Sequence, residues 1–192
     1  MSEARLHTPL GGAGFKGYVS FTEVAPTGMI ALRGDLANAT AAKAVEAATG
    51  QGMPAARRIE GGLDGGAAWA SPDELLLFVP QAEAAERTAA LTEELATQHA
   101  LVADVSDMRA VFTLKGAHLR DMLAKLTPAD LSPEALPTGE FRRSHLGQIA
   151  AAFWFEAEET AHLICFRSVA DYAFDLLKEA SEPGGEVGYF SI

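Results

Sequence analysis

One run of elements (strand, helix, strand, strand, helix) is written twice in this chain, and that repetition limits the folds open to it more than any other feature. Ile30-Ala31-Leu32-Arg33-Gly34-Asp35-Leu36 corresponds to Phe112-Thr113-Leu114-Lys115-Gly116-Ala117-His118. Leu75 to Pro80 with the helix after it corresponds to Leu163 to Ser168 with its own helix. Each half therefore has split β-α-β character of the ferredoxin-like kind, with an antiparallel sheet on one side and helices on the other. Neither half carries much core alone, so the expected fold is α+β, two duplicated halves forming one pseudo-symmetric domain. The expected divisions are an extended N-terminal arm over 1–26, a domain over 27–182 with halves of about 27–100 and 101–182, and a C-terminal tail over 183–192.

Local signals place the elements. Met29 to Arg33 reads as a strand ending at Gly34, and Asp35 or Asn38 is placed to cap the Ala-rich helix that runs to about Ala48. The Gly-rich stretch from Thr49 to Gly66 reads as a long loop. Ser71-Pro72-Asp73 between two apolar runs marks a hairpin, and Gln81 to about His99 a helix with a charged outer face. The central stretch has a short strand, the polar turn Asp104-Val105-Ser106-Asp107, a second strand, then Gly116 and a helix bearing Leu119, Met122, Leu123 and Leu126. Three prolines between Thr127 and Pro137 mark a surface linker. Two strands joined around Gly147 follow, and another from His162 to Phe166. Ser168 and Asp171 have the spacing of a capping box on the last helix, whose apolar face is expected at Tyr172, Leu176 and Ala180, widened by Ala173, Phe174 and Leu177.

Charge and motif content exclude several functions. A net charge of -11, from 26 acidic and 15 basic residues, repels a phosphate backbone, so no nucleic acid partner is expected. Met1 to Arg5 has no apolar signal core and no run approaches a membrane span, which implies a cytoplasmic protein with no membrane contact. The single cysteine, Cys165, reads as a buried strand thiol. His7, His99, His118, His145 and His162 lack metal-ligand spacing, and the nucleophile-elbow and P-loop patterns are absent. Gly12-Ala13-Gly14-Phe15-Lys16-Gly17 matches the dinucleotide pattern in letters, but no strand precedes it and no helix follows. Arg33-Gly34-Asp35 reads as strand-end and helix-start chemistry, and Asp104 and Asp107 as turn formers. Trp69, Phe153 and Trp154 read as core or subunit-contact residues.

A resemblance adds what composition and spacing do not. Asp104-Val105-Ser106-Asp107-Met108, followed by Leu114-Lys115-Gly116 and a Leu-rich helix, resembles the central motif of the aminomethyltransferase, or folate-binding, superfamily. Ile30 to Asp35, Ser71 to Leu77, Asp104 to Ala110, Leu146 to Ala150 and Arg167 to Tyr172 are similar, in order, to the gamma-subunit family of heterotetrameric sarcosine oxidase. The family often has His where this chain has Asp107. The resemblance implies a non-catalytic gamma subunit, held by arm, tail and an apolar face against alpha, beta and delta subunits. It also implies that FAD, FMN, NAD and tetrahydrofolate sit on those partners, with no cofactor bound by this chain. Catalytic, cofactor-binding and metal-binding residues are none. The alternative is a stand-alone folate-binding protein or aminomethyltransferase-like enzyme, with a polar pocket near Arg109 and the central turn; a homo-oligomeric scaffold is a third reading.

Overall fold

In the computed structural model, which describes residues 7–190, eleven strands form two antiparallel sheets. The readings of Met1–Arg5 and of the last two tail residues lie outside that range. The chain divides into two compact units, one of residues 27–107 with 139–141, the other of residues up to 26 with 108–138 and 142 onward.

The first of these units contains β3 (Gly28–Arg33), α1 (Ala39–Thr49), β4 (Ile59–Gly62), β5 (Gly65–Ser71), β6 (Glu74–Val79), α2 (Ala84–Glu94) and β7 (Leu101–Asp104). Its sheet runs β4-β5-β6-β3-β7. Asn38 caps α1, its side chain accepting from the Thr40 amide at 2.8 Å. Gly50 closes the helix with a left-handed φ of 73° and an amide bond to Glu46 O. The core lies between sheet and helices: Ile30, Leu32, Leu75, Leu77 and Val79 meet Ala41, Ala44, Val45, Ala48, Leu91 and Leu95. The Gly-rich stretch, expected as loop throughout, instead folds Ile59 to Ser71 into a hairpin turning at Leu63-Asp64. Its glycines contribute no apolar alternation, so the strand left no pattern to read.

The second unit contains β1 (Gly14–Lys16), β2 (Ser20–Glu23), β8 (Arg109–Lys115), α3 (Leu119–Ala124), β9 (Arg142–Leu146), β10 (Ile149–Ala157), β11 (Thr160–Phe166) and α4 (Ala170–Ala180), with sheet order β1-β2-β8-β11-β10-β9. In the other unit the strand after the second helix, β7, pairs with β3. Here no strand follows α4 among the described residues, and the equivalent place beside β8 is taken by β2 from the N-terminal segment. The duplication is thus complete in space but permuted in sequence.

Pairing fixes the correspondence between the halves. Ile30 lies opposite Leu77 and Asp104, and Phe112 opposite Leu163 and Glu23. Both hairpins carry an irregularity at the same place, between Trp69 and Ser71 and between Phe155 and Ala157. The match of Ile30 to Phe112 holds, whereas Leu163 corresponds to Leu77 and not to Leu75. A two-residue slip keeps every side chain on its own face, and in so uniformly apolar a run nothing in the pattern resists it.

Two further readings change. Ser168 lies inside a short 3-10 turn, Arg167–Val169, and the helix is capped at Val169 without a side-chain bond, so the expected capping box does not form. The buried stripe of α4 is Ala170, Ala173, Leu177 and Ala180, while Tyr172 is exposed. The proline-rich linker is anchored inward, with Leu131 and Leu136 in the core of its unit. Arg120 Nη1 donates to both their carbonyls, at 2.7 and 3.1 Å.

Candidate functional site

The candidates raised by the sequence lie apart and are structurally employed. Asp104 Oδ1 accepts from the Ser106 amide and hydroxyl, and the Ser106 hydroxyl in turn accepts from the Met29 amide at 2.9 Å, which makes it the turn former expected. Arg109 stacks over the Phe166 ring at 5.0 Å. Arg33 reaches Asp73 at 3.4 Å and Asp35 accepts from the Ala37 amide, so that tripeptide does strand-end and helix-start work. Cys165 is 1% exposed, and burial pushes its thiol up to about 12, which leaves it protonated and unreactive. Among the described residues no three His, Cys, Asp or Glu side chains converge as a metal set would. Trp154 and Phe153 are buried, and Trp69 is partly buried against the core of its unit.

The Gly-rich motif of the N-terminal segment grips an anion of its own chain. Glu23 is 3% exposed. Its carboxylate accepts from Thr8 Oγ1 at 2.5 Å, from the Leu10 amide at 3.1 Å and from the Gly12 amide at 2.8 Å. Gly12 adopts φ 81°, the conformation that turns its N–H inward. Gly17 answers to a different need: a Cβ there would lie 1.9 Å from Ser181 O, where Tyr18 N donates to the same carbonyl. Phe15, Tyr18 and Phe21 pack on this unit's own core. Gly17→Ala should therefore cost about 1–3 kcal/mol through forced backbone displacement, read as a lowered urea midpoint. An unchanged midpoint would show that the segment is not seated there.

A polar row crosses the sheet of the same unit on the face away from its helices. Thr22 lies opposite Thr113, Thr113 opposite His162, and His162 opposite Trp154. Thr113 Oγ1 is 3.1 Å from His162 Nδ1, and His162 Nε2 is 3.2 Å from Glu156 Oε2. The Trp154 and His162 rings stack at 5.0 Å. Beside the row is a cavity of about 390 Å³ lined by Ser20, Thr22, Thr113 and Lys115, with Phe21, Glu23 and Val24. Burial holds the His162 pKa below its ordinary 6.5, against the opposing pull of Glu156, so the ring is neutral at pH 7.

That depressed value has a stability consequence. As pH falls below about 6.5 the unfolded chain takes up a proton that the folded chain resists, so this part of the stability is present above 6.5 and is lost through the interval down to the folded value. Urea titrations between pH 7.5 and pH 5, values on the order of the histidine range, should show a loss in the parent that His162→Leu lacks. Equal pH slopes in both proteins would refute the assignment.

The comparisons fall on this frame. The model of the family described as sarcosine oxidase, gamma subunit family, matches residues 33–183. The chain belongs to this family. Among solved structures, a heterotetrameric sarcosine oxidase from Corynebacterium sp. U-96 is 27% identical with a TM-score of 0.77, over 91% of this chain and 86% of that one. Glycine cleavage system aminomethyltransferase T from Bartonella henselae aligns at TM-score 0.63 and 14% identity over 88% of this chain but 48% of its own, which speaks to the fold alone. No curated protein matches the chain in sequence. The fold of this family member is accordingly of the folate-binding type expected from the motif series.

Sequence reading missed the Thr113–His162–Glu156 chain because its members come from three strands and are joined only by pairing register. Comparison of the halves carries the missing signal. At the positions equivalent to Thr22, Thr113, His162 and Trp154, the other unit has Ala103, Ala31, Leu76 and Ala68.

Proposed function

We propose that this chain is the non-catalytic gamma subunit of a heterotetrameric sarcosine oxidase. In that assembly it supports oxidative demethylation of sarcosine to glycine, hydrogen peroxide and a folate-borne one-carbon unit. The family match over residues 33–183 carries the reading, and the 27% identity to a chain of a heterotetrameric enzyme supports it. Alpha, beta and delta chains are the partners, and FAD, FMN, NAD and tetrahydrofolate belong to them. The stand-alone folate enzyme is less favoured, since the identity is to a subunit of an assembly. A cytoplasmic location accords with the described helices, none of which is long and apolar enough to cross a membrane.

Surface chemistry supports a partnered chain. Met108 and Phe166 flank the stacked Arg109 and are 50% and 42% exposed, and Val187 and Tyr189 of the tail stand out at 65% and 72%. A tagged chain recovered from its native cells should bring down larger flavin-bearing chains and sarcosine-dependent peroxide formation, while the purified chain alone forms none. Peroxide formation by the chain alone, or its recovery without flavin-bearing partners, would overturn the proposal.

A further inference from the structure

The outer edges of the two sheets differ, and the duplication shows by how much. Val105 N donates to Met29 O at 2.8 Å, which fixes the phase of the ladder between β3 and β7. In an antiparallel ladder every second pair bonds, so Ala31 bonds with Ala103 and Arg33 with Leu101, while Val102 and Asp104 aim their N–H and C=O groups away from β3. The other half has the same phase. Val24 N donates to Val111 O at 2.9 Å, which leaves Phe21 and Glu23, the equivalents of Val102 and Asp104, facing away from β8. There those groups are used: β1 lies antiparallel on β2 with Phe15 opposite Phe21, and Glu23 N donates to Ala13 O at 2.8 Å. Among the described residues no strand does the same for β7, which ends its sheet.

Side chains single out this edge from the others. The remaining sheet margins carry charged side chains that discourage strand addition, Lys16 on β1, Glu60 on β4, and Arg142 and Arg143 on β9. β7 reads Leu101-Val102-Ala103-Asp104, and its one charge is turned back to Ser106. Leu101 is 56% exposed, at the place where the other half has Ser20. Val102 is only partly buried, whereas Phe21, with the Phe15 ring 6.0 Å away, is 2% exposed. The seat that Phe15 fills in one half is open in the other.

We propose that β7 receives an extended segment of a partner subunit, added antiparallel as a sixth strand of this sheet, with apolar side chains opposite Val102 and Leu101. The inference rests on the reading of the chain as one member of an assembly. Main-chain bonds to Val102 and Asp104 hold the segment, and its residue opposite Val102 does there what Phe15 does on Phe21. A short segment suffices, since the strand that fills the equivalent seat, Gly14–Lys16, has 3 residues.

The test uses the full chain, free and in the complex recovered from its native cells, with amide hydrogen exchange read residue by residue. In the free chain Leu101 and Ala103, bonded to β3, should exchange slowly and Val102 and Asp104 fast. In the complex Val102 and Asp104 should slow about tenfold or more, with Leu101 and Ala103 little changed. Val102→Pro removes an N–H that points away from β3, so it should cost the free chain no more stability than Val102→Ala, yet recover flavin-bearing partners about tenfold less well. A complex in which Val102 and Asp104 exchange as fast as in the free chain overturns the proposal, as does a folded Val102→Pro chain that recovers its partners at the parent level. Should that variant not fold, exchange in the parent complex decides alone. Recovery of the parent without larger partners overturns both this proposal and the subunit reading beneath it.

Discussion

Arg120→Ala should lower stability by about 3–5 kcal/mol, a large fraction of what holds a domain of this size together. Arg120 is 5% exposed, yet it is a cation, and it stays buried because its whole surface is used. One face stacks on the Phe155 ring at 4.0 Å, Nη1 donates to Leu131 O and Leu136 O, and Nε reaches the exposed Glu158 at 3.5 Å. Truncation leaves two buried carbonyls without a donor and a void against Phe155, and each loss is costly. The Glu158 contact adds little, since that side chain is 72% exposed and its charge is screened. Arg120→Lys should recover only part of the loss, because an ammonium lacks the planar fork that reaches two carbonyls while stacking on a ring. Urea denaturation of the three proteins checks this, and a loss below about 1 kcal/mol in Arg120→Ala would mean the loop does not depend on the guanidinium.

The same arginine marks where sequence reading stopped. Three prolines correctly forbade helix and strand between Thr127 and Pro137, but composition alone made the stretch a surface linker. What draws Leu131 and Leu136 inward is a donor eleven and sixteen residues earlier, a pairing that no local pattern announces. Elsewhere the legible features were those whose cause is local: the Asn38 cap, the Ser71-Pro72-Asp73 hairpin and the strand ends at Gly34 and Gly116. The glycine pair even has a shared reason. A Cβ on Gly34 would meet His99 O at 3.2 Å, and one on Gly116 would meet Tyr18 O at 3.1 Å, the equivalent point just before the strand that pairs with β3 or β8. The candidate site was illegible because Thr113, His162 and Glu156 join only through cross-strand register, and the run that would fix that register tolerates a two-residue slip.

The permuted completion of the second sheet leads to the other large effect. Phe21→Ala should cost about 3–5 kcal/mol, whereas Val102→Ala, at the equivalent position of the other half, should cost about 1 kcal/mol. Phe21 is 2% exposed and meets the rings of Phe174, Phe15 and Phe112 at 5.2, 6.0 and 6.3 Å, so its removal opens a cavity among aromatic side chains that cannot close in on it. Val102 is smaller and only partly buried against its core. The asymmetry follows from connectivity. β7 continues directly from its helix and is held by covalent proximity, but β2 lies at the far end of the chain from α4, so side-chain burial must hold it beside β8. Hydrogen exchange should localise the damage, with protection falling at β8 and β11 in Phe21→Ala and remaining at β3 and β6. Equal, small costs at both positions would mean that β2 is a replaceable edge. A large cost at Phe21 alone would establish that the N-terminal segment is the missing strand of the second half, placed there by the same duplication that set Asp104 opposite Ile30 and Glu23 opposite Phe112.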